Sequence, residues 1–444
     1  MKTVNKSTQI TTCNSINNHF MRLRRIFGHA LLIATVTLFL SGCVKDPVIP
    51  VLKTITVTDI TISSVVCGGE IIDDGGAPVT AKGVCWGEAP EPTVGGSHTN
   101  DGAGPGNFMS SITGLAPNTI YYIRAYAENS AGIAYGNEVS FTTNAAAAAV
   151  TTNDISGITA DGAVSGGIIT YDGNAGITDK GVCWSTGTLP EISDSFKSAG
   201  SGPGSFTSSI TGLLPGTRYY LRAYAVNSAG IVYGEQKSFN TNVSDVEGNV
   251  YRTVTIGSQV WMAENLRAVK YNDGSTIPNV TEDAEWISIT SPAWCWMLNN
   301  IQYKPVYGAL YNWYAVNTDK LCPSGWHIPT DEEYKILELS LGMPADQVNL
   351  WDWRGTDQGA QMKSATGWAD GENGTNSSGF SALPGGYRYG ATGAFNALGM
   401  ITYWWSSEYS DIYAVYRRLD GETGEVFRNA TSKKGGKYVR CVKD

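Results

Sequence analysis

The feature that most constrains the fold of this chain is an internal repeat with an offset of 98 residues. The motif KGVCW occupies residues 82–86 and returns at 180–184, and the motif ITGL occupies residues 112–115 and returns at 210–213. Short alternating runs separated by turn residues, repeated at this period, are typical of an all-β sandwich of about seven strands. The sequence therefore predicts two sandwiches in tandem, at residues 53–144 and 145–243.

Residues 119–127 indicate which side chains form the core of the first repeat. Successive side chains of a strand point to opposite faces. The buried face is expected to hold Tyr121, Ile123, Ala125 and Ala127. The exposed face is expected to hold Tyr122, Arg124 and Tyr126. On that exposed face the guanidinium can lie against the rings.

Both repeats contain the pattern Leu-x-Pro-x-Thr-x-Tyr, at residues 115–121 and 213–219. This pattern resembles the fibronectin type III module, and the resemblance implies that the hydroxyls of Tyr121 and Tyr219 bond to nearby backbone. Cys67 and Cys85 could form a disulfide, but the second repeat has Ser165 at the first of these positions, so buried thiols are the better interpretation. Such tandem modules usually serve as spacers, and a binding role of their own is the alternative.

The first 42 residues predict an export signal. A cationic segment at residues 21–25 precedes an apolar run of 15 residues at 26–40, which is too short to span a bilayer. The sequence Leu-Ser-Gly-Cys at residues 40–43 resembles a bacterial lipobox, which implies cleavage before Cys43 and a lipid anchor on it, with 43–52 as a linker. An ordinary signal peptide with a chance cysteine is the alternative, and residues 1–20 indicate that synthesis starts at Met21.

Charge excludes one class of partner. The leader holds five of the 31 basic residues and none of the 40 acidic ones, so the remaining chain has 26 basic and 40 acidic residues and a formal charge of −14. A strongly acidic chain without basic clusters is not expected to bind nucleic acid. We expect the membrane to be its partner through acylated Cys43, in the outer membrane and facing the cell surface.

Residues 244–444, called the head below, differ in composition, because they hold 11 of the 13 Trp residues. Strands around Gly257 open this segment, and three short runs at 413–419, 425–428 and 438–442 close it. One helix is predicted, since Thr330 and Glu333 form a capping box and Gly342 ends the apolar stripe. A lone helix among strands and long loops indicates an α+β domain.

Several motifs of the head resemble one family. They are YGALYNWYAV at 307–316, CPSGWHIPT at 322–330, GFSALPGGYR at 379–388, WSSE at 405–408 and RCV at 440–442. Together they look like the Fibrobacter succinogenes major paralogous domain, which is common in surface lipoproteins and similar to C-type-lectin-like and formylglycine-generating-enzyme-like folds. The resemblance implies a C-type-lectin-like head in which Cys322 pairs with Cys441, as export permits. Two buried thiols are the alternative.

Motifs for catalysis are missing from the sequence. Gly-x-Ser-x-Gly, His-Glu-x-x-His and Cys-x-x-Cys do not occur, and the formylglycine-generating relatives use a reactive cysteine pair where this chain has Cys441 alone. His327, beside the helix, fits a structural imidazole better than a catalytic base. We therefore expect no enzyme and no cofactor. Paired carboxylates for glycoside cleavage are the alternative, with Glu282, Asp283, Glu408 and Asp411 as candidates.

Aromatic side chains in the loop-rich middle of the head are the candidates for ligand binding. Sugar rings stack on aromatic faces, and Trp and Tyr dominate protein-binding hot spots. The candidates are Trp351, Trp353, Trp368, Tyr387 and Tyr389, with core packing as the alternative for each. Oxygen-bearing side chains on a nearby loop are weaker candidates for calcium, with a simple turn as the alternative, and they are Asp370, Glu372 and Asn373.

The sequence thus predicts a lipid-anchored protein whose head recognises a glycan or a surface protein, with the two repeats as a spacer. An envelope enzyme acting on polysaccharide and a structural coat component are the alternatives.

Overall fold

The computed structural model describes residues 45–444, apart from the side chain of Asp370. The predicted signal and the anchor at Cys43 lie outside the described residues. Strands dominate the rest of the chain, which forms two sandwich repeats and the head. Between residues 45 and 444, no helix has both the length and the apolar character that crossing a bilayer requires.

The first repeat packs two sheets face to face. Its strands are β1 Val51–Thr54, β2 Ser64–Asp73, β3 Ala81–Gly87, β4 Ser97–His98, β5 Gly106–Thr113, β6 Ile120–Asn129, β7 Gly132–Tyr135 and β8 Val139–Thr142. One sheet has the order β1-β2-β5, and the other has the order β4-β3-β6-β7 with β8 also paired to β6. The two-residue β4 brings the count to eight strands, where the sequence predicts about seven.

The second repeat has the same topology. Its strands are β9 Ala149–Thr152, β10 Gly162–Tyr171, β11 Asp179–Ser185, β12 Ser195–Ser198, β13 Gly204–Thr211, β14 Arg218–Asn227, β15 Gly230–Tyr233 and β16 Lys237–Asn240. Its sheets are β13-β10-β9 and β12-β11-β14-β15, with β16 paired to β14. The sequence repeat is therefore a structural repeat as well.

The core of the first repeat follows the predicted alternation with one correction. Tyr121, Ile123, Ala125 and Ala127 are buried as predicted. Tyr126, predicted to be exposed, is also buried, because its ring contacts His98 edge-on and its hydroxyl donates to the carbonyl of Thr99. The Arg124 guanidinium lies 4.6 Å from the ring of Tyr135 on the next strand, not over the rings of its own strand.

The tyrosine bonds of the repeats and the unpaired cysteines agree with the predictions from the sequence. The backbone N–H of Ala116 donates to the hydroxyl of Tyr121 at 3.1 Å, and that of Leu214 donates to Tyr219 at 3.2 Å. The unpaired cysteines of residues 45–444 are Cys67, Cys85, Cys183 and Cys295, and all four are buried.

Equivalent turns of the two repeats touch the domain that follows each of them. In the first repeat, Asn118 Nδ2 donates to the carbonyl of Asn174 in the second repeat at 2.6 Å. The equivalent residue of the second repeat is Gly216, whose carbonyl accepts from Lys443 Nζ of the head at 2.9 Å. A Cβ atom on Gly216 would lie 2.4 Å from the Trp326 ring, so this contact leaves room for glycine alone.

The head is built from short strands around two main sheets. Its strands are β17 Val243–Ser244, β18 Val250–Tyr251, β19 Thr253–Ile256, β20 Gln259–Met262, β21 Trp294–Trp296, β22 Ala309–Tyr311, β23 Trp326–His327, β24 Asp352–Arg354, β25 Tyr387–Arg388, β26 Phe395–Asn396, β27 Ile401–Tyr409, β28 Tyr413–Asp420, β29 Val426–Ser432 and β30 Val442–Lys443. The main sheets have the orders β19-β20-β30-β23 and β24-β29-β28-β27. The third closing run, predicted at 438–442, forms a strand only at β30.

The predicted helix is present, but it is not alone. The α-helices of the described head are α1 Asp283–Ser288, α2 Lys304–Tyr307, α3 Trp313–Val316, α4 Asp331–Ser340 and α5 Gln358–Met362, and three-residue 3-10 helices lie at Met297–Asn299, Ile301–Tyr303 and Ala369–Gly371. Helix α4 carries the predicted capping box, in which Thr330 and Glu333 bond reciprocally. The other four α-helices have four to six residues each, too few to show a helical period in the sequence.

Buried ion pairs join α4 to one face of the sheet β24-β29-β28-β27. Arg354 and Arg417 donate to the carboxylate of Glu338 at 2.6 and 2.7 Å, and Arg428 donates to Asp331 at 2.7 Å. Because side chains alternate along a strand, the residues next to these arginines point to the opposite face of the sheet. That opposite face is not covered by α4.

The predicted disulfide is confirmed. Cys322 and Cys441 are bonded, and they are 119 residues apart in the chain. Both cysteines are buried, so the bond joins the segment before α4 to the segment before β30 inside the head.

Candidate functional site

The sheet face that α4 leaves uncovered carries a row of aromatic and cationic side chains. Cross-strand register places Trp353 opposite Phe427, Phe427 opposite Arg418, and Arg418 opposite Tyr403. Directly opposite residues on one face have Cβ atoms close enough for their side chains to pack. Four strands thus contribute one continuous row.

Ring contacts extend this row beyond the sheet. The ring centroids of Trp353 and Phe427 are 4.9 Å apart, and those of Tyr416 and Tyr403 are 5.4 Å apart. The ring of Tyr403 then lies 4.8 Å from Tyr387 on β25. The ring of Tyr387 in turn lies 6.5 Å from that of Tyr389. We call this series of rings the aromatic strip, and its members are Trp353, Phe427, Tyr416, Tyr403, Tyr387 and Tyr389.

Exposure along the strip is graded. Tyr403 is buried, the next rings are half-buried, and Tyr389 at one end is exposed. The guanidinium of Arg418 lies between the rings at 5.2 Å from Trp353 and 5.6 Å from Phe427, and it pairs with Asp420. Ring faces held by cations and by each other form a rigid surface, which reduces the entropy lost when a ligand binds.

A cleft of about 670 Å³ opens at the tyrosine-rich end of the strip. This volume is within the range of ligand sites. Its lining includes five tyrosines, which are Tyr387, Tyr389, Tyr403, Tyr413 and Tyr416. The charged side chains of the lining are all basic, and among the described residues that form it none is Asp or Glu.

Lys437 lies at the base of this cleft and is 4% exposed. Its Nζ is 4.4 Å from the centroid of the Tyr403 ring, 4.7 Å from that of Tyr416 and 4.8 Å from that of Trp405. Burial, together with the smaller effect of the nearby charge of Arg418, lowers the pKa of Lys437 to about 7. The Lys437 amine is thus surrounded mainly by ring faces and changes its charge near neutral pH.

Comparison with known proteins gives one result for the head. Residues 254–443 match the model of the family described as the Fibrobacter succinogenes major domain. This match supports the resemblance read from the sequence motifs, and it contains the whole strip and Lys437. No curated protein matches the chain.

The five aromatic candidates of the head fall into two groups in the structure, those of the strip and those outside it. Trp353, Tyr387 and Tyr389 belong to the strip, and the two tyrosines line the cleft. Trp368 is a core residue, 5% exposed, with its indole N–H donating to the carbonyl of Ala382. Trp351 is exposed but takes no part in the ring contacts of the strip, and the guanidinium of Arg428 stacks on it at 3.8 Å.

Several strip residues were not among the sequence candidates. Tyr403, Tyr416 and Phe427 lie on strands, whereas the sequence argument placed the site on loops. The available signal was the period of two in the predicted run 413–419, which places Tyr416 and Arg418 on one face of a strand. Lys437 had no local signal, since its ring neighbours come from β25, β27 and β28.

The calcium candidates do not form a visible ligand set. Asn373 Oδ1 accepts from the backbone N–H of Trp368 at 3.1 Å. The side chain of Asp370 lies outside the described part of the structure. Within the part that is described, no group of three or more His, Cys, Asp or Glu residues is placed to hold a metal.

The remaining candidates for chemistry are used structurally or are exposed. Asp283 accepts from Arg388 at 2.8 Å, while Glu408 and Asp411 are exposed near the end of β27. His327 is bonded on both ring nitrogens, to Asp444 at 2.6 Å and to Glu333 at 2.7 Å. The His327 ring thus lies between Asp444 and Glu333 in the first turn of α4 and connects the two. These contacts use the imidazole structurally.

Proposed function

We propose that the head binds a saccharide chain without cleaving it and that the aromatic strip is the surface on which the sugar rings stack. The observation that carries this proposal is the unbroken row of ring contacts from Trp353 to Tyr389, with centroid separations of 4.8–6.5 Å. A tyrosine ring offers an apolar face and a polar hydroxyl. This combination matches a sugar, which has apolar C–H faces and hydroxyl edges.

The surroundings of the strip favour binding over hydrolysis. Cleavage of a glycosidic bond by the usual mechanism needs two carboxyl groups about 5–10 Å apart across the bond. The cleft at the end of the strip is lined by tyrosines and basic residues, and among its described lining residues there is no carboxylate. A polysaccharide-cleaving enzyme is therefore the less favoured candidate.

The rest of the chain would hold this head at the cell envelope. The lipobox-like sequence before Cys43 supports a lipid anchor in the outer membrane. The tyrosine hydroxyl bonds of both repeats support a fibronectin type III-like spacer. The capped helix α4 and the disulfide before β30 support a C-type-lectin-like head.

The test uses a matched pair of tryptophans in the chain that begins at residue 45. Glycan-array binding is measured for the unchanged protein, for Trp353→Ala within the strip, and for Trp351→Ala, two residues away and outside it. We expect Trp353→Ala to weaken binding about tenfold, since one stacked ring contributes on the order of 1 kcal/mol, and Trp351→Ala to leave binding unchanged.

Three results would contradict the proposal. No binding to any glycan on the array, together with capture of a protein ligand, would indicate that the head is a protein-binding module. Release of reducing ends from a bound polysaccharide would make it an enzyme. Equal weakening by both tryptophan variants would move the binding surface away from the strip.

A further inference from the structure

Lys437 is unusual among the buried cations of the described chain. The other buried Lys and Arg side chains between residues 45 and 444 are Lys82, Lys180, Lys335, Arg354, Lys363, Arg388, Arg417, Arg428 and Arg440. Each of these donates at least one hydrogen bond to a carboxylate, an amide or a carbonyl oxygen. Lys437 Nζ has no hydrogen-bond partner among the residues that the structure describes, and four ring centroids lie 4.4–5.8 Å from it.

The position of this ammonium is fixed from the backbone outward. Lys437 exchanges two backbone hydrogen bonds with Tyr311, at 3.1 and 2.9 Å, so its main chain is anchored in the core. Its side chain reaches from there to the base of the tyrosine-lined cleft. Burial removes most of the water around this amine and no anion replaces it, so its charged form is disfavoured in the free protein. A bound anion at this point would supply the missing negative charge.

We propose that the cleft binds the anionic group of an acidic saccharide, a carboxylate or a sulfate, with Lys437 Nζ as its counter-ion. This inference rests on the proposed function, since the strip would stack the neighbouring sugar rings. The partly exposed Lys434 adds positive charge at the rim, although its Nζ already donates to the carbonyl of Ile287 at 2.7 Å. Arg388 is already paired with Asp283.

The pH dependence of this binding follows from the groups around Lys437. The side chains that face it are Tyr387, Tyr403, Tyr416, Trp405 and Arg418. Burial raises the pKa of Tyr416 to about 12 and raises that of Tyr403 as well, so neither titrates near neutral pH. With a pKa of about 7 in the free protein, Lys437 must gain a proton when an anion binds above that pH. Affinity for the acidic ligand should then fall about tenfold per pH unit above 7.

The experiment compares three oligosaccharides of equal length, which are a neutral one, one carrying uronic acids and one carrying sulfates. Isothermal titration calorimetry of the unchanged chain from residue 45 is run at pH 6, 7 and 8, in buffers of different ionisation enthalpy. We expect tighter binding of at least one acidic ligand than of the neutral one, and uptake of about one proton per acidic ligand at pH 8. The comparison of uronic acids with sulfates identifies the anionic group.

Three variants assign the effect to one side chain. Lys437→Met should lower acidic binding at least tenfold relative to neutral binding, so that the preference for the acidic ligand is lost. Lys434→Met, on the same cleft, should keep that preference and its pH dependence. Lys437→Arg should keep the preference for the acidic ligand, and its affinity for that ligand should no longer fall above pH 7, since a guanidinium stays charged. The proton-uptake measurement needs no variant and remains valid if a substitution at this buried site prevents folding.

The outcomes separate this inference from the proposed function. Neutral and acidic ligands that bind equally, without proton uptake, would overturn the inference and leave the strip as a saccharide surface. An acidic preference that survives in Lys437→Met would also overturn it. Failure of every oligosaccharide to bind would overturn the proposed function, and the inference with it.

Discussion

The disulfide between Cys322 and Cys441 permits a prediction whose size follows from the structure. It closes a loop of about 119 residues inside the head. In the chain-entropy model, opening a loop of that length lowers the free energy of unfolding by about 4–5 kcal/mol. For a domain near 200 residues, each kcal/mol moves the melting temperature by about 2–4 °C. Reduction should therefore lower the melting temperature of the head by about 8–20 °C.

The assay is differential scanning calorimetry of the chain from residue 45, oxidised and reduced. Because both sulfurs are buried, reduction is carried out in denaturant and is followed by refolding under reductant. The sandwich repeats are an internal control, since Cys67, Cys85 and Cys183 are unpaired thiols. Only the transition of the head should move.

Two results would refute this reasoning. A shift of the head transition below about 3 °C, with complete reduction shown by mass spectrometry, would mean that the closed loop contributes little to stability. An equal shift of the sandwich transitions would mean that the reductant acts through something other than this bond.

Three further predictions concern stability. Glu338→Gln should lower the free energy of unfolding of the head by about 3–5 kcal/mol in guanidinium titration, because it leaves buried Arg354 without a carboxylate and Arg417 with Asp331 alone. The exposed Glu332→Gln on the same helix should change the free energy of unfolding by less than about 1 kcal/mol, and equal effects would contradict the role of the buried pairs. Gly216→Asn should lower the melting temperature of the head, because the new Cβ meets the Trp326 ring. Gly212→Asn is the control for backbone strain, since a Cβ there faces open space. Equal shifts of the melting temperature in the two variants would rule out the ring contact as the cause. Burial lowers the pKa of His327, but its hydrogen bonds to Asp444 and Glu333 outweigh burial and raise the pKa above 6.5. The contribution of protonated His327 to the free energy of unfolding should therefore be complete below pH 6.5 and be lost as pH rises through the folded-state pKa. The difference in free energy of unfolding between the unchanged protein and His327→Gln, measured across this pH range, should show the same loss.

The parts of the fold that depend on a sequence repeat, on a short local motif or on family motifs could be predicted from the sequence. The repeat positions gave the two sandwiches, Thr330 and Glu333 gave the capped helix, and family motifs gave the Cys322–Cys441 bond. Tyr126 was predicted to be exposed but is buried, because alternation does not show that a neighbouring segment covers the outer face of a strand.

The candidate site was only partly predictable, because it depends on contacts between distant strands. Trp353 and Trp368 are alike by residue type and loop context, yet one joins the strip and the other joins the core. Register between β24, β27, β28 and β29 decides which rings meet, and the sequence alone does not contain that register. Lys437 follows two glycines and resembles any turn lysine until the fold brings three strands of rings around it.

The paired turns at Asn118 and Gly216 have a consequence for how such a protein can change its reach. Both residues adopt a left-handed backbone, at φ of 45° and 56°, and each sits where one module meets the next. Extra copies of the 98-residue unit could be inserted if each inner copy kept asparagine at this position and the last copy kept glycine. The residue at this position would then mark a module's place in the series, and the chain could lengthen by duplication without any change to the head.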